Sequence, residues 1–196
     1  LTVVKSELDE ALKSRAYTPE QINAITDRMT EKNALPSQIC HAAGLRVHEI
    51  YTLRPIAEQA PHERETHYGK FSGRNGVSYT VDGKGGLIRE IVIPLELAYK
   101  LESHRLEQTE RITDRGIHYD RAYDINGGQK LSLAFSAASQ RALEFSHGIH
   151  GLRHTYAQER MGELMRKSKF PYSESRLIVS QELGHFRPEI TEVYLR

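Results

Sequence analysis

His150-Gly151-Leu152-Arg153-His154, then Leu183-Gly184-His185 and, nine residues further on, Tyr194, is the stretch on which the reading of this chain turns. Residues 149–165 have a helical pattern, and on a helix His150 and Arg153 share one face. Both lie near the helix start, where free backbone N–H groups favour an anion. A phosphate there would take a bidentate guanidinium contact, with an imidazole beside it to accept or donate a proton. The plain alternative is a surface His and Arg on a polar helix face. Gly184 is placed to end a helix in the left-handed conformation, which puts His185 in a tight turn before Pro188 opens the last helix. A solvent-exposed loop histidine is the alternative there. Tyr194 sits on that last helix, whose apolar side is marked by Ile190 and Val193. Its alternative is a buried tyrosine with the hydroxyl at the surface. A phenol with a pKa of about 10 needs a base or cations before it becomes a nucleophile.

Two upstream segments carry further candidates. Gly44-Leu45-Arg46-Val47-His48-Glu49 falls at a helix restart, where Arg46 and Glu49 can also be a simple ion pair at i, i+3. Lys84 tops the glycine-flanked turn Asp82-Gly83-Lys84-Gly85-Gly86. A lysine on a hairpin tip is usually solvated and idle, although the glycines would let the loop approach a ligand closely.

The intervening pattern is mainly helical with one small sheet. A charged helix is expected over 5–15, and Thr18-Pro19-Glu20-Gln21 carries a capping box with Pro at the first helical position. Pro36 is expected to open the next helix, which Gly44 interrupts before a helical pattern resumes over 45–53. Tyr68–Phe71 is expected as a strand, with a turn at Gly73-Arg74-Asn75-Gly76. Val77, Tyr79 and Val81 alternate with polar residues, and Leu87–Ile93 is a further strand stopped by Pro94. Helical pattern returns over 95–106. Residues 108–130 are polar and irregular; a solvated loop is the favoured reading, and a segment that contacts DNA or a partner is the alternative. Helices follow over 131–145, 149–165, 173–183 and 188–195.

With 196 residues, 38% hydrophobic and 27% charged, the composition is that of a soluble globular protein able to bury a core. No apolar run approaches the roughly 18 residues a membrane helix needs. The first residues lack the order of a signal peptide, and a start at Leu1 suggests part of a longer protein. Cys40 is the only cysteine, so neither an internal disulfide nor a Cys-based zinc site is available; a reducing cytoplasm is expected. The net charge of +1 does not by itself announce nucleic acid. Eight Lys and Arg nevertheless crowd into the last 44 residues, from Arg153 to Arg196.

Taken in order, the four blocks resemble the tyrosine recombinase, or phage integrase, family. That family carries Gly-Leu-Arg-x-x-Glu (here Gly44–Glu49), a Gly-Lys-Gly turn into a strand ending in Pro (Gly83–Gly85 to Pro94), and His-x-Leu-Arg-His (His150–His154). It also carries Leu-Gly-His with Tyr nine residues on (Leu183–His185, Tyr194). The resemblance covers roughly residues 18–196 and implies a catalytic domain there, with residues 1–17 an N-terminal helix or remnant linker. The implied fold is mainly α with a small three-stranded antiparallel sheet, the DNA breaking-rejoining core.

The resemblance also implies roles. Arg46 and Arg153 would clamp one scissile phosphate and neutralise charge growing on phosphorus. His150 would help Tyr194 lose its proton, Lys84 would protonate the departing 5′ oxygen, and His185 would hydrogen-bond the phosphate. Tyr194 would form a 3′-phosphotyrosine link that a partner strand's 5′ hydroxyl then attacks, so that strands are cut and rejoined with no metal, ATP or other cofactor. Glu49 would orient its neighbours. The expected partner is double-stranded DNA, engaged by a homotetramer at synapsis, with a monomer as the alternative for this piece alone, in the cytoplasm at the nucleoid. Two departures stand out: Leu87 replaces a second basic residue found after the glycine turn, and the family's N-terminal clamp domain and C-terminal docking tail are expected to be missing.

Three rivals follow from the same residues. One is a DNA-holding module that no longer cuts. Another is a metallohydrolase, since His150 and His154 are at i, i+4, although H-E-x-x-H would need Glu where Gly151 stands. The third is a type IB topoisomerase, which shares the chemistry but relaxes supercoils. The DNA target and the choice among integration, excision and dimer resolution are not legible in the chain.

Overall fold

The computed structural model describes residues 14–83 and 85–195. Most of the helix expected over 5–15, and Lys84, lie outside them. The first helix, α1 (Pro19–Thr26), starts as its sequence dictates: Thr18 Oγ1 accepts the Gln21 N–H at 3.3 Å and Gln21 Oε1 accepts the Thr18 N–H at 2.9 Å. Its apolar stripe buries Ile22 and Ile25.

Helix α2 (Glu31–Ala43) corrects the reading of Pro36, which lies inside the helix rather than at its start. A proline there cannot donate to the carbonyl four residues back. That carbonyl, on Lys32, instead accepts the Asn126 N–H at 2.9 Å, so tertiary structure supplies the bond that the helix lacks. Gly44 ends α2 in the left-handed region (φ +62). The expected helix over 45–53 is instead a turn and a short 3-10 helix, Glu49–Thr52. The Glu49 carboxylate accepts the Arg46 N–H at 2.8 Å and so closes the turn.

The sheet is three-stranded and antiparallel, but its first strand is not Tyr68–Phe71. It consists of β1 (Arg54–Pro55), β2 (Val77–Asp82) and β3 (Ile88–Ile93) in that order, with Arg54 opposite Thr80 and Val77 opposite Ile93. Residues 68–73 form turns. The Phe71 N–H donates to Glu182 Oε1 at 2.9 Å, and Gly69 lies against Phe170, so this segment is bound to the helices instead of to a strand.

Helix α3 (Leu95–Glu102) follows, and then a second correction. The segment read as a solvated loop is a β-hairpin, β4 (Arg105–Asp114) and β5 (Ile117–Tyr123), in a separate two-stranded sheet. Arg115 (φ 47) and Gly116 (φ 78) make its reversal, both with the positive φ of a type I′ turn. Helices α4 (Gly128–Leu143), α5 (His150–Arg166) and α6 (Tyr172–Glu182) complete the body; α7 (Pro188–Thr191) runs into the 3-10 turn Glu192–Tyr194.

Among the described residues the core has two clusters. The larger packs Ile25, Ile39 and Leu53 with Ile91, Ile93, Leu131 and Phe135, between the N-terminal helices, the sheet and α4. The smaller packs Tyr156, Leu164, Ile178, Val179 and Leu183 of α5 and α6, and Tyr194 belongs to it. Among the described residues no helix is long and apolar enough to cross a membrane.

Candidate active site

Arg153 lies at the centre of the site. It sits in the first turn of α5, fully buried, and its guanidinium donates to the carbonyl of Gly44, to the carbonyl of Leu183 at 2.6 Å, and to His185 Nε2 at 3.0 Å. One side chain thus ties together the end of α2, the end of α6 and the turn after it. Burial, offset in part by Glu49, lowers the guanidinium to about 10, so it stays charged at neutral pH. Its Nε is buried without a partner among the described residues.

Both helix ends depend on glycine. At Gly44 a Cβ would stand 2.7 Å from Tyr156 Cδ1. Gly184 (φ +74) closes α6 in a Schellman motif: the His185 N–H reaches the Ser180 carbonyl at 2.9 Å and the Gly184 N–H reaches that of Gln181 at 3.0 Å. The chain reversal delivers His185 to Arg153.

Tyr194 is 8% exposed, with its ring among three imidazoles. It stacks on His185 (centroids 5.2 Å, interplanar 26°) and lies 4.8 Å from His154 and 5.5 Å from His150. The Arg153 guanidinium is 5.5 Å from its centroid. Here the expected helix face is corrected: Ile190 and Val193 are exposed, and Thr191 and Tyr194 turn inward. Insertion of the phenol ring between the histidines decides which side of this short segment is buried.

The imidazoles are held neutral. Desolvation, then the Arg153 and Arg46 charges, brings His185 down to about 3. Desolvation and neighbouring cationic groups also lower His154, which is buried, and His150, which keeps an exposed face. His154 Nδ1 and His185 Nδ1 are buried with no hydrogen-bond partner among the described residues.

Arg46 flanks this cluster and is partly exposed, held by Glu49 Oε1 at 3.1 Å. Glu49 is fully buried. Burial alone would raise its pKa, but Arg89, Arg153 and Arg46 more than offset this and hold it at about 2. Three guanidiniums thus surround one carboxylate, leaving an excess of positive charge beside the phenol. This arrangement can bind an anion, and the neutral imidazoles can accept a proton.

The structure therefore brings His150, Arg153, His185 and Tyr194 into one cluster, with Arg46 and Glu49 at its edge. No family model matches the sequence, and no curated protein matches it. Solved structures do match in fold. A XerH site-specific recombinase bound to its palindromic difH substrate, in a post-cleavage complex, superposes with a TM-score of 0.56 over 93% of this chain and 49% of that one, at 16% identity. The Tn1549 transposon integrase in complex with a circular intermediate DNA superposes with a TM-score of 0.55 over 94% of this chain and 62% of that one, at 13% identity. The fold is that of a tyrosine recombinase catalytic domain. This chain spans about half the length of the recombinase structure and less than two thirds of the integrase.

On this tyrosine recombinase fold, two residues outside the expected catalytic set stand at the site. His154, which the sequence offers only as a zinc partner of His150 in the metallohydrolase reading, has its ring nearer Tyr194 than that of His150. Arg89 is 3% exposed and donates to Glu49 Oε2 and to the Glu182 carbonyl, each at 2.8 Å. Its signal was present: Arg89, Ile91 and Ile93 alternate onto the buried face of β3, and a guanidinium on a core face demands partners.

Proposed function

We propose that residues 18–196 form the catalytic domain of a site-specific DNA recombinase or integrase that breaks and rejoins strands through Tyr194. The observation that carries this reading is the seating of Tyr194 among His150, His154 and His185 with Arg153 beside its ring. The DNA-bound structures that share the fold support DNA as the partner.

In this mechanism Arg46 and Arg153 hold the scissile phosphate and stabilise the charge that develops on its oxygens. The Tyr194 hydroxyl passes its proton to a neutral imidazole, His150 being assigned that part, and its oxygen attacks phosphorus. The bond from phosphorus to the 5′ oxygen breaks, and that oxygen takes a proton from Lys84. His185 donates to a phosphate oxygen through Nδ1. The covalent link conserves the phosphodiester, so a partner strand's 5′ hydroxyl can reverse the step without ATP, and the guanidiniums provide the positive charge that a metal would otherwise supply. A homotetramer on synapsed sites is the assembly in which strands would be exchanged.

A nicked duplex that loses its short leaving strand tests the assignment. The wild-type chain is expected to accumulate a covalent DNA adduct, with EDTA present. Tyr194→Phe is expected to bind DNA normally and form none. An adduct with the mutant would show that the nucleophile lies elsewhere; binding with no wild-type adduct would favour a DNA-holding module.

A further inference from the structure

Arg89 lies one strand away from the phosphate-binding groups, and the roles above do not use it. It is the first inward-facing residue of β3, the strand that leaves the Lys84 turn. Its two terminal nitrogens diverge. Nη2 donates to Glu49 Oε2 at 2.8 Å, and that same carboxylate accepts the Arg46 N–H at 2.8 Å and Arg46 Nη1 at 3.1 Å. Nη1 donates to the Glu182 carbonyl at 2.8 Å, on the last residue of α6 and three positions before His185. The stem of Arg89 packs under the turn: a Cβ at Gly184 would stand 2.5 Å from Arg89 Cδ and 2.9 Å from Nε.

We infer that Arg89 is a positioning residue for the phosphate clamp, fixing Arg46 through Glu49 and fixing His185 through the end of α6. This rests on the recombinase reading above. The planar fork suits the task, since one rigid group sets the separation of two bonds. Gly184 has a second requirement here beyond its positive φ, because any side chain would displace the Arg89 stem. The hairpin carrying Lys84 is joined through the same residue to both other blocks of the site, so one guanidinium couples the three segments.

The test compares single-turnover adduct formation on two nicked substrates. One carries the natural scissile phosphate and the other a methylphosphonate, which has no formal negative charge to clamp. Arg89→Met is expected to slow cleavage of the phosphate about 10- to 100-fold, the size of effect seen when residues that orient the ligands of a metal site are lost, while DNA affinity changes little. On the methylphosphonate its deficit should shrink, because misplacing Arg46 matters less where the clamp has less charge to hold. Arg89→Lys keeps the buried charge and should fold even if Arg89→Met does not; it is expected to show the same substrate-dependent deficit in weaker form. Wild-type rates in a folded variant would overturn the inference. So would equal slowing on both substrates, the signature of general loosening. Failure of the wild-type chain to form any adduct would overturn the recombinase reading, and the role of Arg89 with it.

Discussion

Arg153 donates to His185 Nε2 at 3.0 Å, and this contact fixes the protonation of the imidazole. A guanidinium has no acceptor, so Nε2 must offer its lone pair and the proton must lie on Nδ1. His185 is therefore neutral, facing Arg153, Arg46 and Arg89 with Glu49 behind them and the Tyr194 ring stacked on one side. Nδ1–H is buried and lacks a partner among the described residues.

Stability should fall on acidification from this cause. The folded state depresses His185 from 6.5 to about 3, so the unfolded chain binds the extra proton. The stabilisation is complete above pH 6.5 and is lost progressively as pH falls from there toward 3. His154 and His150 act in the same direction. Glu49, depressed from 4.5 to about 2, extends the loss below pH 4.5. Urea midpoints at pH 7.5, 6 and 5 should decrease in that order, and His185→Asn should flatten the slope. A midpoint unchanged between pH 7.5 and 5 would contradict the neutral state of His185.

Glu182 should be among the most sensitive positions for folding. Its buried carboxylate accepts from Arg160 Nε and Nη2, each at 3.0 Å, from the Tyr156 hydroxyl at 2.7 Å and from the Phe71 N–H at 2.9 Å. Glu182→Gln leaves Arg160, 1% exposed, with the partly exposed Glu163 as its remaining carboxylate partner, through Nη1 at 3.1 Å. The expected loss is about 3 kcal/mol by denaturant titration. Adding Arg160→Met should recover part of it, since the buried guanidinium that has lost its main partner is then gone; a strictly additive double mutant would show that the two are not coupled.

Gly44→Ala combines two costs. The residue is left-handed at φ +62, and the new Cβ would meet Tyr156 Cδ1 at 2.7 Å and Leu183 Cδ2 at 2.8 Å. Together these should destabilise by about 2 kcal/mol. Because the Gly44 carbonyl accepts from Arg153, the adduct yield on the nicked substrate should fall even at temperatures where the variant is folded. Unaltered stability would mean that Tyr156 and Leu183 yield without cost.

What was legible before folding follows the physics of each segment. The start of α1 was readable because a capping box is a local arrangement of Thr18 and Gln21. The β4–β5 hairpin was not, because residues 107–111 are exposed on both faces and leave no apolar alternation to detect. Pro36 misled for a related reason: its helix is tolerated only because Asn126, 90 residues away, satisfies Lys32. The motifs supplied the identities of the site residues, but spacing alone could not distinguish a surface histidine from one stacked on Tyr194.

By itself the sequence determined the residue types of the site and the local signals that start and end its helices, since caps, left-handed glycines and apolar periods act over a few positions. Only the tertiary structure decided that Arg89 joins Glu49 to the end of α6, that Tyr194 rather than Val193 turns inward, and that His154 stands beside the phenol. Those outcomes depend on contacts among segments 30 to 100 residues apart. Burial there makes each unpaired donor or charge expensive, so the partners are selected by the whole fold.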